Sequence, residues 1–195
     1  MVQGLASSHR TVTVERVYPP SSGHLLWLVV NRTYPDHCAK DERTALTQWL
    51  DYHRATLAVK VEDLTDSQAR ARTTPSPLSL LGLVRHMADV ERWWFRIVLA
   101  GETLPHLYWT TEDPDGDFND VSSDTLSSAL RAWHEEVDSA KRLADKAQDL
   151  STAATAPDGR IVDVRWIFIH MIEEYSRHNG HADIIRESLD GRTGE

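Results

Sequence analysis

Four polar side chains recur at helical spacing near the C-terminal end of the sequence: His170, Glu174, His178 and His181. With Ile167 as reference and about 100° per residue, Met171, Glu174, His178 and Ile185 fall within roughly 40° of it, and His170 and His181 within roughly 60°. Phe168, Ile172 and Tyr175 cover another flank, so this helix is predicted to be apolar on more than one side and well buried. A buried carboxylate or imidazole without a partner costs several kcal/mol. Four on one face therefore need a common explanation, and metal ligation supplies one. Glu174-x-x-x-His178 places two donors one turn apart. On an earlier helix, Leu83, Val90, Trp93, Trp94 and Ile97 define the apolar face, and His86 lies in its middle while Arg85, Asp89, Arg92 and Arg96 turn away. Alone, such a histidine is more often a hydrogen-bonded core residue. Opposite an inward Glu-x-x-x-His it becomes a third ligand. Three protein ligands with coordination positions left open mark a catalytic metal site, as distinct from a closed structural one. The expected cofactor is one divalent ion on His86, Glu174 and His178, with zinc first and nickel or iron as alternatives.

The remaining histidines are less informative. His53 shares an apolar face with Leu50 and Leu57, and reads first as a core or rim histidine, second as a proton carrier facing the same cavity. His134 sits at a stripe boundary, and His9, His24, His37 and His106 fall in irregular segments. The acidic run Asp113, Asp115, Asp117, Asn119 alternates as calcium ligands do, but Gly116 stands at position four of that loop instead of six and the closing glutamate is missing. It reads as a solvated turn.

Four helices must position these residues. The first is predicted over Glu42 to Leu64, with Leu46, Leu50, Leu57, Val61 and Leu64 in register. The second opens with Ser76 as cap and Pro77 in its first turn, and runs to Ala100, with Gly101 ending it. The third covers Ser123 to Gln148, and the fourth runs from a cap at Asp163 to Gly191. Each carries an apolar stripe, so the fold class is all-α, an up-and-down four-helix bundle over residues 41–195. Ala156-Pro157-Asp158-Gly159 reads as a turn, with a short hairpin around it as an option. Residues 1–40 form an unassigned N-terminal extension, in which Thr11 to Val17 alternates like a strand and Leu25 to Val30 fits a buried strand or a short helix.

The connection from Gly101 to Ser122 is long enough to have a purpose. It leaves the second helix about 15 residues past His86, roughly 22 Å along the axis, and can return over the metal site. Leu107, Tyr108 and Trp109 give it an apolar face, so Tyr108 and Trp109 are the candidate lid of a substrate pocket. Its acidic part, Asp113 to Asp120, is expected to stay outside or to select a cationic group on the substrate.

Composition narrows the partners. Of the 195 residues, 41% are hydrophobic and 26% charged, the balance of a soluble globular protein. The net charge of −9 argues against nucleic acid and against anionic lipid. A lone cysteine, Cys38, excludes an internal disulfide and fits a reducing compartment. The longest apolar run, Leu25 to Val30, is too short to span a membrane and unlike a signal peptide. A cytoplasmic location and a small-molecule substrate follow as expectations.

Three separated segments, taken in order, resemble a known family: Leu80-Leu81-Gly82-Leu83-Val84-Arg85-His86-Met87-Ala88-Asp89, then Tyr108-Trp109-Thr110 with Asp113-Pro114-Asp115-Gly116-Asp117-Phe118, then His170 to Asp183. They resemble the DinB-like superfamily and, within it, the actinobacterial "mini-circle" branch, over about Asp41 to Gly194. The resemblance implies a four-helix bundle, often dimeric, with a divalent metal on a second-helix histidine (His86) and two side chains four apart on the last helix. Those two are both histidines in many members. Here they are Glu174 and His178, a departure similar to the mycothiol-dependent maleylpyruvate isomerases. His181 falls one turn on, where many relatives carry glutamine, and is a candidate ligand, orienting residue or acid/base. The implied activity is metal-dependent transfer or isomerisation with a low-molecular-weight thiol such as mycothiol as cosubstrate, with His181 or His53 moving the proton. No cysteine lies in a helix, so the thiol must come from the cosubstrate. A metal-dependent hydrolase and a non-catalytic metal- or ligand-binding bundle are the alternatives.

Overall fold

The computed structural model describes residues 32–193, so the strand expected over Thr11 to Val17 and the strand or short helix expected over Leu25 to Val30 lie outside the described residues. Helix α1 (Glu42–Val61) starts where Asp41 accepts a hydrogen bond from the Thr44 amide at 2.7 Å. It stops three residues short of the expected Leu64, because Glu62 is extended and Asp63 adopts a positive φ of 61°. The chain then makes a one-turn helix, α2 (Asp66–Arg70), opened by a capping box between Thr65 and Gln68.

Helix α3 (Leu80–Glu91) is capped by Ser79, not by Ser76. The segment through Pro75 and Pro77 is a run of bends outside the helix, and Ser79, fully buried, accepts from the Gly82 amide at 3.1 Å just as the apolar Leu80-Leu81 run begins. The helix continues to the predicted end, but Arg92–Leu99 is π-helical. Such runs are rare in proteins and frequent at functional sites.

The next two elements are α4 (Gly116–Asn119), a single turn inside the long connection, and α5 (Leu126–Lys146), capped by Thr125. The third expected helix is thus shorter at both ends. A two-stranded antiparallel hairpin, β1 (Ala153–Thr155) and β2 (Ile161–Asp163), surrounds the Pro157-Asp158-Gly159 turn. Helix α6 (Val164–Asp190) begins at the Asp163 cap and ends on Gly191 in the left-handed conformation, as read from the sequence.

Helix α1 packs along α6, and α3 packs against both α5 and α6, making a helical bundle with a single apolar core. Inside that core lies a polar chain. Arg54 of α1 donates from Nε and Nη2 to the two oxygens of Glu91 at 2.8 and 2.7 Å; Tyr175 of α6 donates to Glu91 Oε1 at 2.7 Å, and Trp133 of α5 donates to the Tyr175 hydroxyl at 2.7 Å. All four side chains are buried, and each long helix contributes one. The N-terminal end of the described chain is tied to α1: Asp36 exchanges two hydrogen bonds with Gln48, and Tyr34 packs edge-on against Trp49 and Tyr52. Among the described residues no helix is long and apolar enough to cross a membrane.

Candidate metal and substrate site

The three residues read from helical spacing converge. Donor atoms of His86, Glu174 and His178 all lie within 4.8 Å of one another. Glu174 Oε2 is 3.4 Å from His178 Nε2 and 4.0 Å from His86 Nε2, and the two imidazole centroids are 4.6 Å apart. Helix α3 supplies one donor and α6 the other two, from positions one turn apart. The group is largely withdrawn from solvent, with His178 buried and the other two half-buried. Two imidazoles and a carboxylate are the donor chemistry of an open divalent site, so the residues present fit such an ion.

The far nitrogen of His86 is also engaged. Nδ1 lies 2.6 Å from Asp117 Oδ2, which fixes the proton there and leaves Nε2 directed at Glu174. A carboxylate behind a ligating histidine sets its tautomer and ring direction and raises its basicity. Phe118 stacks on the ring at 5.1 Å. Burial disfavours the imidazolium of His86, but the hydrogen bonds and charges of Asp117 and Glu174 outweigh it and push the pKa up to about 9. The same contacts, His178 first and then His86, hold Glu174 far below the ordinary carboxylate range.

Asp117 corrects the expectation that the acidic stretch stays outside. The residue is 5% exposed, carried inward by α4. The loop can fold that closely because position 116 is glycine: a Cβ there would sit 2.4 Å from the Tyr108 carbonyl oxygen. Asp89 is a second correction. Expected to turn away from the apolar face, it is buried under the loop, and its carboxylate accepts from the amides of Leu107, Tyr108 and Trp109 at 2.7, 2.8 and 3.2 Å. Arg85, likewise expected to turn away, is buried against the loop, with its guanidinium 4.2 Å from the centre of the Tyr108 ring.

The two lid candidates therefore differ. Trp109 lines a cavity of about 300 Å³ together with His86, whereas Tyr108 is outside that lining and lies against Arg85. Burial pushes the Tyr108 phenol up to about 12. His106, which carried no signal in the sequence, lines the same cavity and stacks on Trp93 at 5.3 Å.

These features now have a family. A family model described as mycothiol S-transferase matches residues 45–191. The chain belongs to the mycothiol S-transferase family. Among solved structures, a conserved protein from Enterococcus faecalis is similar in fold, at 16% identity and a TM-score of 0.55, over 79% of this chain and 100% of that one. No curated protein sequence matches the chain.

Within this mycothiol S-transferase family member, the other candidate residues occupy separate places. His181 is not in the group of three; its Nδ1 lies 3.4 Å from His178 Nδ1, behind the donor that faces Glu174. His53 sits on the α1–α6 seam, where Asn179 donates to its carbonyl oxygen at 3.0 Å and Trp49 and Tyr52 pack around its ring. His170 forms a second group with Glu173 and Glu174, stacked on Trp166 at 4.8 Å. Asp117, Asp89 and His106 are the residues that the helical periodicities did not reveal. Asp117 and Asp89 do stand inside segments that carried the family resemblance, and a charged residue there was the available signal.

Proposed function

We propose that this family member is a metal-dependent transferase that joins a low-molecular-weight thiol such as mycothiol to an electrophile, with one divalent ion, zinc first, on His86, Glu174 and His178. The family match supports the thiol and the transfer. The observation that carries the metal is the convergence of those donors with His86 Nδ1 already bound to the buried carboxylate of Asp117. A divalent ion held by these three residues would supply Lewis acidity and so lower the pKa of a thiol bound to it.

The side chains then have distinct tasks. Asp117 holds His86 with its proton on Nδ1. His181 does the same for His178, accepting from Nδ1–H and leaving Nε2 as the donor; this is an orienting role in preference to ligation. Burial keeps His181 below the ordinary histidine pKa, so it is a neutral acceptor near pH 7. Trp109 and the loop pinned by Asp89 restrict water at the cavity beside His86. His53 has no place in this scheme.

Transfer of mycothiol to an electrophilic test substrate tests the reading. Activity should vanish on dialysis against a chelator and return with zinc, nickel or iron(II). Full activity after verified metal removal would end it.

A further inference from the structure

Helix α3, its π-helical continuation and the loop enclose the cavity beside His86. Trp93 and Trp94 from the π segment, with Trp109 and Phe118 from the loop side, make its walls aromatic. Its acidic groups are the carboxylates of Asp89, Asp115 and Asp117, its basic ones the imidazoles of His86 and His106, and no lysine or arginine is among the described residues lining it. The charges do not cancel. Asp117, 5% exposed, gives Oδ2 to His86 and keeps Oδ1 without a hydrogen-bond partner among the described residues. Asp115 makes no side-chain bond to the α4 terminus it precedes. A divalent ion next door would be balanced by Glu174 and Asp117, which leaves Asp89 and Asp115 as net negative charge. Outside the lining, the guanidinium of Arg160 lies 5.9 Å from the Trp94 ring centre, a cation–π contact within the chain.

An anionic head entering this space would lose water and meet three carboxylates, with the His86 imidazole already bound to Asp117 and no lysine or arginine in the described lining to offset the cost. A cation gains on both counts, from the ring faces and from the carboxylates. We infer that the cavity is a subsite for an ammonium or quaternary ammonium group, carried by the electrophile that receives the thiol. Its assignment to the electrophile rests on the transferase reading; cation binding itself does not.

The test uses the full chain and three probes of one shape: choline, its uncharged isostere 3,3-dimethylbutan-1-ol, and 3,3-dimethylbutanoate. Binding is followed by tryptophan fluorescence, since three tryptophans line the cavity. Choline should bind about tenfold more tightly than the alcohol, the fold-change expected of a partly desolvated cation–π site, and the carboxylate should bind most weakly. Asp115→Asn should narrow the gap between choline and the alcohol, and Trp109→Ala should weaken both. No saturable response to choline, equal affinity for choline and the alcohol, or a preference for the carboxylate would overturn the inference. Metal content of the same samples reports on the ligand triad separately, so either idea can fail while the other stands.

Discussion

At the scale of single residues, the account turns on which nitrogen of each histidine is free. Asp117→Asn should leave the fold intact and weaken metal affinity by about 10- to 100-fold, the usual effect of removing a carboxylate behind a ligating histidine; competition with a chelating dye measures it. Glu174→Gln should weaken affinity further, because it removes a donor, whereas His181→Gln should retain most of the metal. The reverse order would move the site one turn along α6. Protonation gives an independent check. The unfolded value for His86 is near 6.5 and its folded value is about 9. A raised folded pKa means the imidazolium contacts contribute stability fully below about pH 6.5 and lose it as pH rises through 9. Metal-free protein should therefore melt at lower temperature as pH goes from 6.5 to 9, while metal affinity rises over that window because the proton must leave. His86→Gln should flatten the melting trend.

At the scale of elements, the sequence shows the three donors because each is set by the period of one helix. His86, Glu174 and His178 needed only the knowledge that α3 and α6 face each other. Asp117 lies 31 positions from its partner, and what brings it home is a loop whose path depends on Gly116 and on the amides held by Asp89. No periodicity encodes that. The π-helical run was equally hidden, since its hydrophobic spacing resembles that of an α-helix until the hydrogen bonds are seen. The N-termini of α3 and α5 moved for a related reason: several serines and threonines competed as caps, and the one followed immediately by the apolar run won. Asp89 yields a prediction at this scale. Asp89→Ala leaves the amides of Leu107, Tyr108 and Trp109 without their acceptor, which should cost about 1–3 kcal/mol. Limited proteolysis should then cut between Glu102 and Ser122 faster than in the wild type, with metal content unchanged. Cleavage at the wild-type rate would show that the carboxylate does not hold the loop.

At the scale of the whole molecule, two polar assemblies share α3 and α6. One is the open donor group; the other is the Arg54–Glu91–Tyr175–Trp133 chain, closed to solvent and joining all four long helices. Tyr175 follows Glu174 directly, so the closed chain fixes the helix that presents two of the three donors. Arg54→Met strands a buried carboxylate and should cost about 3–5 kcal/mol in denaturant unfolding; a cost below 1 kcal/mol would mean that Glu91 reaches water or another partner. The helical bundle was legible because four amphipathic stripes dictate it. The buried ion pair was not, because Arg54 and Glu91 read as ordinary polar positions until the helices are assembled. The central claim is that the open assembly is a metal site, and metal analysis by mass spectrometry on purified full-length protein tests it most directly. The account predicts close to one divalent ion per wild-type chain, and far less in folded His86→Ala and His178→Ala. Stoichiometric metal in both variants would contradict it.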